Sequence, residues 1–209
     1  MNKPYTTPSM TIDLLRHGAP EGGDRYRGGL DDPLSPTGWQ QMQQAVAEEE
    51  PWQAIITSPL KRCRAFAEQQ AKTRNLPLAI EPDFHELRFG AWEGRSAKEI
   101  LQHPQEAAQL TAFWQDPWNN PPPGGEPLPH FKQRVEQALL RLQDEHPQSH
   151  LLIVAHGGIL RLITAWALGM PMNNLSRIVT PYACRIRLIL DLVAGQPLPR
   201  LIHHIPGPG

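Results

Sequence analysis

Two of the nine histidines in this chain stand where chemistry can use them. His17 lies inside Arg16-His17-Gly18, and His156 opens His156-Gly157-Gly158. Each follows an apolar run, Met10-Thr11-Ile12-Asp13-Leu14-Leu15 before the first and Leu151-Leu152-Ile153-Val154-Ala155 before the second, so both fall just past the carboxyl end of a short buried strand. In open α/β sheets ligands bind in the crevice beyond those ends, which makes the two histidines candidates for one composite site. A neutral imidazole can attack phosphorus and divide one hard displacement into two easier ones through a phosphohistidine. The planar fork of an arginine fits phosphoryl oxygens in a way lysine does not. Arg16 adjoins His17, and further arginines bunch at Arg25/Arg27 and Arg62/Arg64. A second histidine such as His156, protonated against a phosphoryl dianion, adds a donor.

The elements that must position these groups alternate between strand-like and helix-like. That alternation predicts an α/β protein, a three-layer α/β/α sandwich with a mostly parallel central sheet. After the first strand, residues 19–34 read as a Gly-rich loop, and Ser35-Pro36 starts a helix with Trp39, Met42 and Val46 on one face. Ala54-Ile55-Ile56-Thr57 is a second strand. Ser58-Pro59 after it reads as an N-cap followed by proline at the first helical position, opening a helix to about Thr73. Ser96-Ala97-Lys98-Glu99 has the capping-box pattern, and a further helix runs from Gln105 to Trp114. Between about residues 115 and 129 prolines crowd around Gly124-Gly125; the amphipathic helix carrying Phe131, Val135, Leu139 and Leu142 resumes at once, so the stretch reads as a lid within one domain spanning residues 1–209. Gly169 and Pro171 end the helix after His156. Residues 186–190 and 201–205 are the last two strand candidates.

Composition narrows the function classes. Lys+Arg 20 against Asp+Glu 21 gives a net charge of −1, which supplies no field to hold nucleic acid or an anionic membrane, so neither is an expected partner. The most apolar tracts, 159–170 and 183–193, are broken by Arg161, Arg185, Arg187 and Asp191 and fall short of a membrane span. The polar start, Met1 to Ser9, lacks the apolar core of a secretory signal. Two cysteines far apart, Cys63 and Cys184, point to neither a disulfide framework nor a metal cluster, and a reduced cytoplasmic setting is the default expectation.

Four short motifs occur in order: Arg16-His17-Gly18, then Ser58-Pro59-Leu60-Lys61-Arg62-Cys63, then Glu86-Leu87-Arg88-Phe89-Gly90-Ala91-Trp92-Glu93-Gly94, then His156-Gly157-Gly158. Over nearly the whole chain this resembles the histidine phosphatase superfamily, the phosphoglycerate-mutase-like fold. The resemblance implies His17 as nucleophile, Arg16, Arg62 and His156 as phosphoryl ligands, and Glu86 as the acid that protonates the leaving oxygen and then activates water. It also makes Gly18, Arg25, Arg27 and Gly157 candidate substrate contacts. It implies no metal and no cofactor, a small-molecule phosphate ester as partner, and leaves a homodimer open. Trp92-Glu93-Gly94, the Pro-Pro-Gly-Gly-Glu loop at 122–126 and the chain length are most similar to the alpha-ribazole phosphatase branch of cobalamin synthesis. Two positions depart: Ala19-Pro20 replaces the acidic residue and hydroxyl that commonly follow the first motif, and Pro127 stands where serine is usual.

Rivals sit close to several of these residues. Arg64 competes with Arg62, and Glu93, read otherwise as a cap beside Trp92, competes with Glu86. Cys63 reads as helix packing, and His85 as a rim or structural residue. His203 and His204, adjacent in a strand, point to opposite faces and cannot chelate together. The expected function is a metal-independent phosphomonoesterase. A phosphoglycerate mutase is the nearest alternative, disfavoured because residues 19–27 lack the serine and Trp-Asn pair of that branch. A non-catalytic phospho-ligand binding module and a metallohydrolase on His17, His156 and Glu86 are the others; two arginines beside the histidines oppose the last.

Overall fold

Apolar runs of four to seven residues that carry no internal polar periodicity are suited to strands buried on both faces, and such strands form the centre of this molecule. The computed structural model describes residues 9–48, 50–193 and 196–208. In chain order the elements are β1 (Met10–Arg16), α1 (Pro36–Ala45), β2 (Ala54–Thr57), α2 (Lys61–Arg74), β3 (Leu78–Ile80), α3 (Ala97–Ile100), α4 (Pro104–Gln115), α5 (Leu128–Glu145), β4 (His150–Ala155), α6 (Gly157–Ala167), β5 (Arg185–Val193) and β6 (Gln196–Ile205). One six-stranded sheet has the order β3-β2-β4-β1-β5-β6. The ladders among β3, β2, β4 and β1 are parallel, and β5 and β6 add an antiparallel edge.

Helices cover both faces. Ile12, Leu14, Ile153 and Ile186 pack against α5 and α6 through Phe131, Val135, Leu139, Ile159 and Ile163, while Leu15, Ile55, Leu152 and Val154 pack against α1 and α2 through Met42, Phe66 and Ala67. The three-layer sandwich follows. Each large side chain so buried contributes about 1.5–3 kcal/mol.

Local signals explain most boundaries. Ser35 caps α1, its hydroxyl accepting from the Gly38 N–H at 3.0 Å, and Ser96 with Glu99 forms the capping box of α3. The start of α2 is a correction. Ser58 and Pro59 do not open it: the helix begins at Lys61, whose N–H donates to Asp31 Oδ1 at 2.6 Å from a distant loop. Ser58 Oγ accepts from the Leu60 N–H at 3.3 Å and also lies 2.6 Å from His156 Nε2, so the hydroxyl serves the turn before the helix and the site at once. β3 went unread because three residues carry too little periodicity, and the last two strands run longer than the candidate segments because they pair with each other along their length.

The 115–129 stretch lies between α4 and α5 and is tied down. Ala91 donates its N–H to Pro123 O (2.9 Å), Glu126 donates its own to Arg88 O (2.9 Å), and Arg134 binds the Glu126 carboxylate (2.8 Å). Gly90, at φ +54°, lets these two loops meet, because a Cβ there would lie 2.2 Å from Pro123 O.

Candidate active site

The parallel pairing of β1 with β4 sets Arg16 opposite Ala155, so the residues after each strand emerge side by side. His17 donates its backbone N–H to Ala155 O (3.0 Å), and the rings of His17 and His156 have centroids 5.3 Å apart. Residues 139 positions apart therefore share one site through strand order alone.

His17 is buried, with Nδ1 2.8 Å from Gly18 O. A carbonyl only accepts, so Nδ1 carries the proton and Nε2 keeps its lone pair. Burial, with the guanidinium charges of Arg16 and Arg62, holds the imidazole well below its ordinary value. The ring is a neutral imidazole with its Nε2 lone pair available. His156 caps α6, is fully buried, and is likewise pushed far down by burial, Arg62 and the neighbouring histidine. Its Nε2 lies 2.6 Å from Ser58 Oγ, and the Cys63 sulfur lies 3.6 Å away. The Cys63 thiol is driven up by burial and packs inside α2 against the site.

The arginines separate cleanly. Arg16 donates to Thr180 O and lies 4.2 Å from the Tyr182 ring centre, while its buried Nε has no partner. Arg62 is fully buried and donates to Leu30 O (2.6 Å) and Arg27 O (3.1 Å), again with an unpartnered Nε. Arg64 faces outward and pairs with Glu68 at 2.8 Å. Helical phase turns Arg62 inward and Arg64 outward.

The two glutamates also part. Glu86 Oε1 accepts from Leu87 N–H at 2.9 Å and Oε2 from Gly158 N–H at 3.0 Å, which fixes the carboxylate in the wall of the cavity that His17 also lines. Glu93 accepts instead from the N–H groups of Gly28, Gly29 and Phe89 at 2.9–3.0 Å, stapling the loop after β1 to the segment before α3.

Arg16, His17, Glu86, Arg25, Arg27 and Gly157 line a cavity of about 420 Å³; Arg62 and His156 lie beyond its surface, with no exposed area. Arg27 has its fork committed to Asp32 (2.6 Å) and to the Glu21 and Gly23 carbonyls, so it shapes the loop. Arg25 binds the same Asp32 at 2.8 Å. Gly18 is outside the lining: a Cβ there would meet Gly38 O at 2.1 Å, so it serves the close approach of α1. His85 binds Glu86 O and Arg134 away from the cavity, and His203 is half-buried while His204 is exposed. Among the described residues no three His, Cys, Asp or Glu side chains group as a metal ion needs.

Sequence reasoning missed Gly158, Ser58, Arg161 and Tyr182. Gly158 sat inside a motif already noted, and Ser58 was read as a cap. Tyr182 precedes β5 in a segment with no periodic signal, and reaches His17, ring centres 5.8 Å apart, only through the β1–β5 pairing.

Comparison with known proteins adds four likenesses. The family model of the histidine phosphatase superfamily (branch 1) matches residues 12–196. The adenosylcobalamin/alpha-ribazole phosphatase of Salmonella typhimurium is 33% identical over 171 residues, 79% of this chain and 83% of its own. The protein of that name in Escherichia coli is 31% identical over 167 residues, 78% of this chain and 81% of its own. Among solved structures, the alpha-ribazole phosphatase of Shigella flexneri superposes with a TM-score of 0.74 at 29% identity, covering 92% of this chain and 96% of that one.

Proposed function

The chain belongs to the histidine phosphatase superfamily, branch 1, and is a phosphatase; from that premise we propose that it is a metal-independent phosphomonoesterase working through a phosphohistidine on a small phosphorylated metabolite. The observation that carries this reading is His17: a buried, neutral imidazole with Nε2 free, between two arginines whose Nε groups have no partner.

In the proposed first step the Nε2 lone pair of His17 forms a bond to phosphorus as the ester P–O bond breaks. The electron pair leaves on the alkoxide oxygen, and the protonated Glu86 donates to it. Arg16 and Arg62 hold the phosphoryl oxygens, where loss of one pre-placed donor commonly costs about 10²–10³ in turnover. The incoming dianion opposes the cationic surroundings of His156 and draws a proton onto it, giving a further donor. In the second step Glu86, now a carboxylate, takes a proton from water as the oxygen attacks phosphorus, the P–N bond breaks, and inorganic phosphate leaves with His17 neutral again. General acid-base help of this kind contributes roughly 10²–10⁴.

The substrate proposed is alpha-ribazole 5′-phosphate, supported by the names of relatives at about 30% identity. Phosphate release from a panel of that ester, sugar phosphates and 3-phosphoglycerate, the last with and without its bisphosphate, tests the reading. Faster phosphoryl exchange between phosphoglycerates than release to water would replace it by a mutase.

A further inference from the structure

The proline-rich stretch and the proposed acid share one largely buried cation, Arg134 of α5. Its Nε and Nη2 donate to the Glu126 carboxylate at 2.8 and 2.9 Å, and Glu126 ends the Pro-Pro-Gly-Gly-Glu loop. Its Nη1 donates to Asp83 O and, at 2.9 Å, to His85 O, while Nη2 also reaches Glu86 O at 3.2 Å. One guanidinium thus carries the main chain on either side of Glu86's α-carbon, along the fixed in-plane directions of its fork. The Glu86 carboxylate is held at its far end by Leu87 N–H and Gly158 N–H, so Arg134 fixes the backbone from which it projects. Burial would raise the Glu126 carboxyl, but the bonds and charge of Arg134 hold it below its ordinary value, and the pair stays ionised.

A second arginine of α5 grips the same segment from outside. Arg141, two turns further along that face, pairs with the carboxylates of Glu81 (3.0 Å) and Asp83 (2.7 Å) and touches no carbonyl at Glu86.

We infer that the Arg134–Glu126 pair is a positioning device for the proposed acid: it sets the Glu86 backbone and ties that setting to the proline-rich loop. The inference rests on Glu86 protonating the leaving oxygen and adds the residues that hold it for that step. The fork is divided between a loop carboxylate and the acid's own main chain, an arrangement that a point charge on lysine cannot reproduce.

Arg134→Lys keeps the charge and loses the fork. Misplacing a catalytic group by about 1 Å can cost on the order of 10² in rate, so this partial loosening should lower kcat/KM for an alkyl phosphate about tenfold. An activated aryl phosphate needs little protonation and should lose less than about twofold. The ratio of the two, taken on one preparation, divides out any unfolded fraction. Glu126→Gln should shift that ratio in the same direction, and Arg141→Ala should leave it at the wild-type value. In a Glu86→Gln background Arg134→Lys should cost the alkyl ester nothing further, because a positioning residue has no effect once the group it positions is gone. Equal losses on both esters, an additive loss in the Glu86→Gln background, or as large a shift from Arg141→Ala overturns the inference; Glu86→Gln, if selective against the alkyl ester, then still keeps its acid. A Glu86→Gln variant that is itself unselective overturns the acid, and the inference with it.

Discussion

His17 and Glu86 carry the proposed chemistry, and each makes a distinct demand on experiment. Because Nδ1 of His17 donates to Gly18 O and burial with Arg16 and Arg62 opposes a positive charge, long-range ¹H–¹⁵N spectra at about pH 6 should show a neutral imidazole protonated on Nδ1. An imidazolium pattern would remove the nucleophile. His17→Ala should lower phosphate release by roughly 10³-fold or more, since no other side chain at the cavity floor is placed to form a phosphoenzyme; acid-labile, base-stable label trapped on the wild type but absent from the variant is the accompanying check. For Glu86→Gln, turnover of an alkyl phosphate should fall roughly 10²–10⁴-fold, while an activated aryl phosphate, which needs little protonation, keeps a burst and then stalls as phosphohistidine. Equal losses on both esters without a burst would reassign Glu86 to a structural role.

At the scale of elements, the site depends on loops pinned by one carboxylate and one glycine contact. Glu93 collects N–H groups from Gly28, Gly29 and Phe89, and the same loop supplies the Arg27 and Leu30 carbonyls that hold Arg62. Glu93→Ala leaves those donors without their partner, at a cost of about 1–3 kcal/mol, and releases Arg62. Its activity should fall equally on alkyl and aryl esters, in contrast to Glu86→Gln, and a substrate-dependent loss would show that the two roles have been exchanged. Gly18→Ala drives a methyl to 2.1 Å from Gly38 O in the first turn of α1; overpacking of that kind costs about 1–3 kcal/mol, which thermal melts would read as a drop of several degrees. The proline-rich stretch before α5 contributes Pro117 to the cavity and is hydrogen-bonded at Pro123 and Glu126.

For the whole molecule, acid stability follows from groups buried in one protonation state. His17 and His156 are held far below the ordinary imidazole value of 6.5 by burial and nearby cations. The unfolded chain therefore binds more protons than the folded one as pH falls beneath that value, and stability drops with it. Asp13 acts later. Burial alone would raise it, but hydrogen bonds from Arg187, His150 and Trp52 hold it well below its ordinary 3.8, so its contribution is present above that pH and lost as pH falls further. Melting temperature should accordingly decline in two stages, the first setting in as pH falls below about 6.5. Replacing His156 by Gln should flatten the first stage and leave the second; a first stage of undiminished size would place its origin elsewhere.

Much of this protein is determined locally and is therefore legible in its sequence. Largely apolar runs mark β1, β2 and β4, Ser35-Pro36 starts α1, Ser96 with Glu99 starts α3, and the ordered motifs single out His17, Arg16 and His156. Those features depend on neighbours within a few residues, where periodicity and capping operate. The remainder waited on tertiary structure. Arg62 and not Arg64 turns inward because α2 packs one face on the sheet, and Glu86 and not Glu93 joins His17 in the cavity lining, held there by the N–H of Gly158, 72 residues away. Ser58 reaches His156 across 98 residues. Tyr182 has no motif at all, since strand order brings its segment to His17 and leaves no short-range trace in the chain.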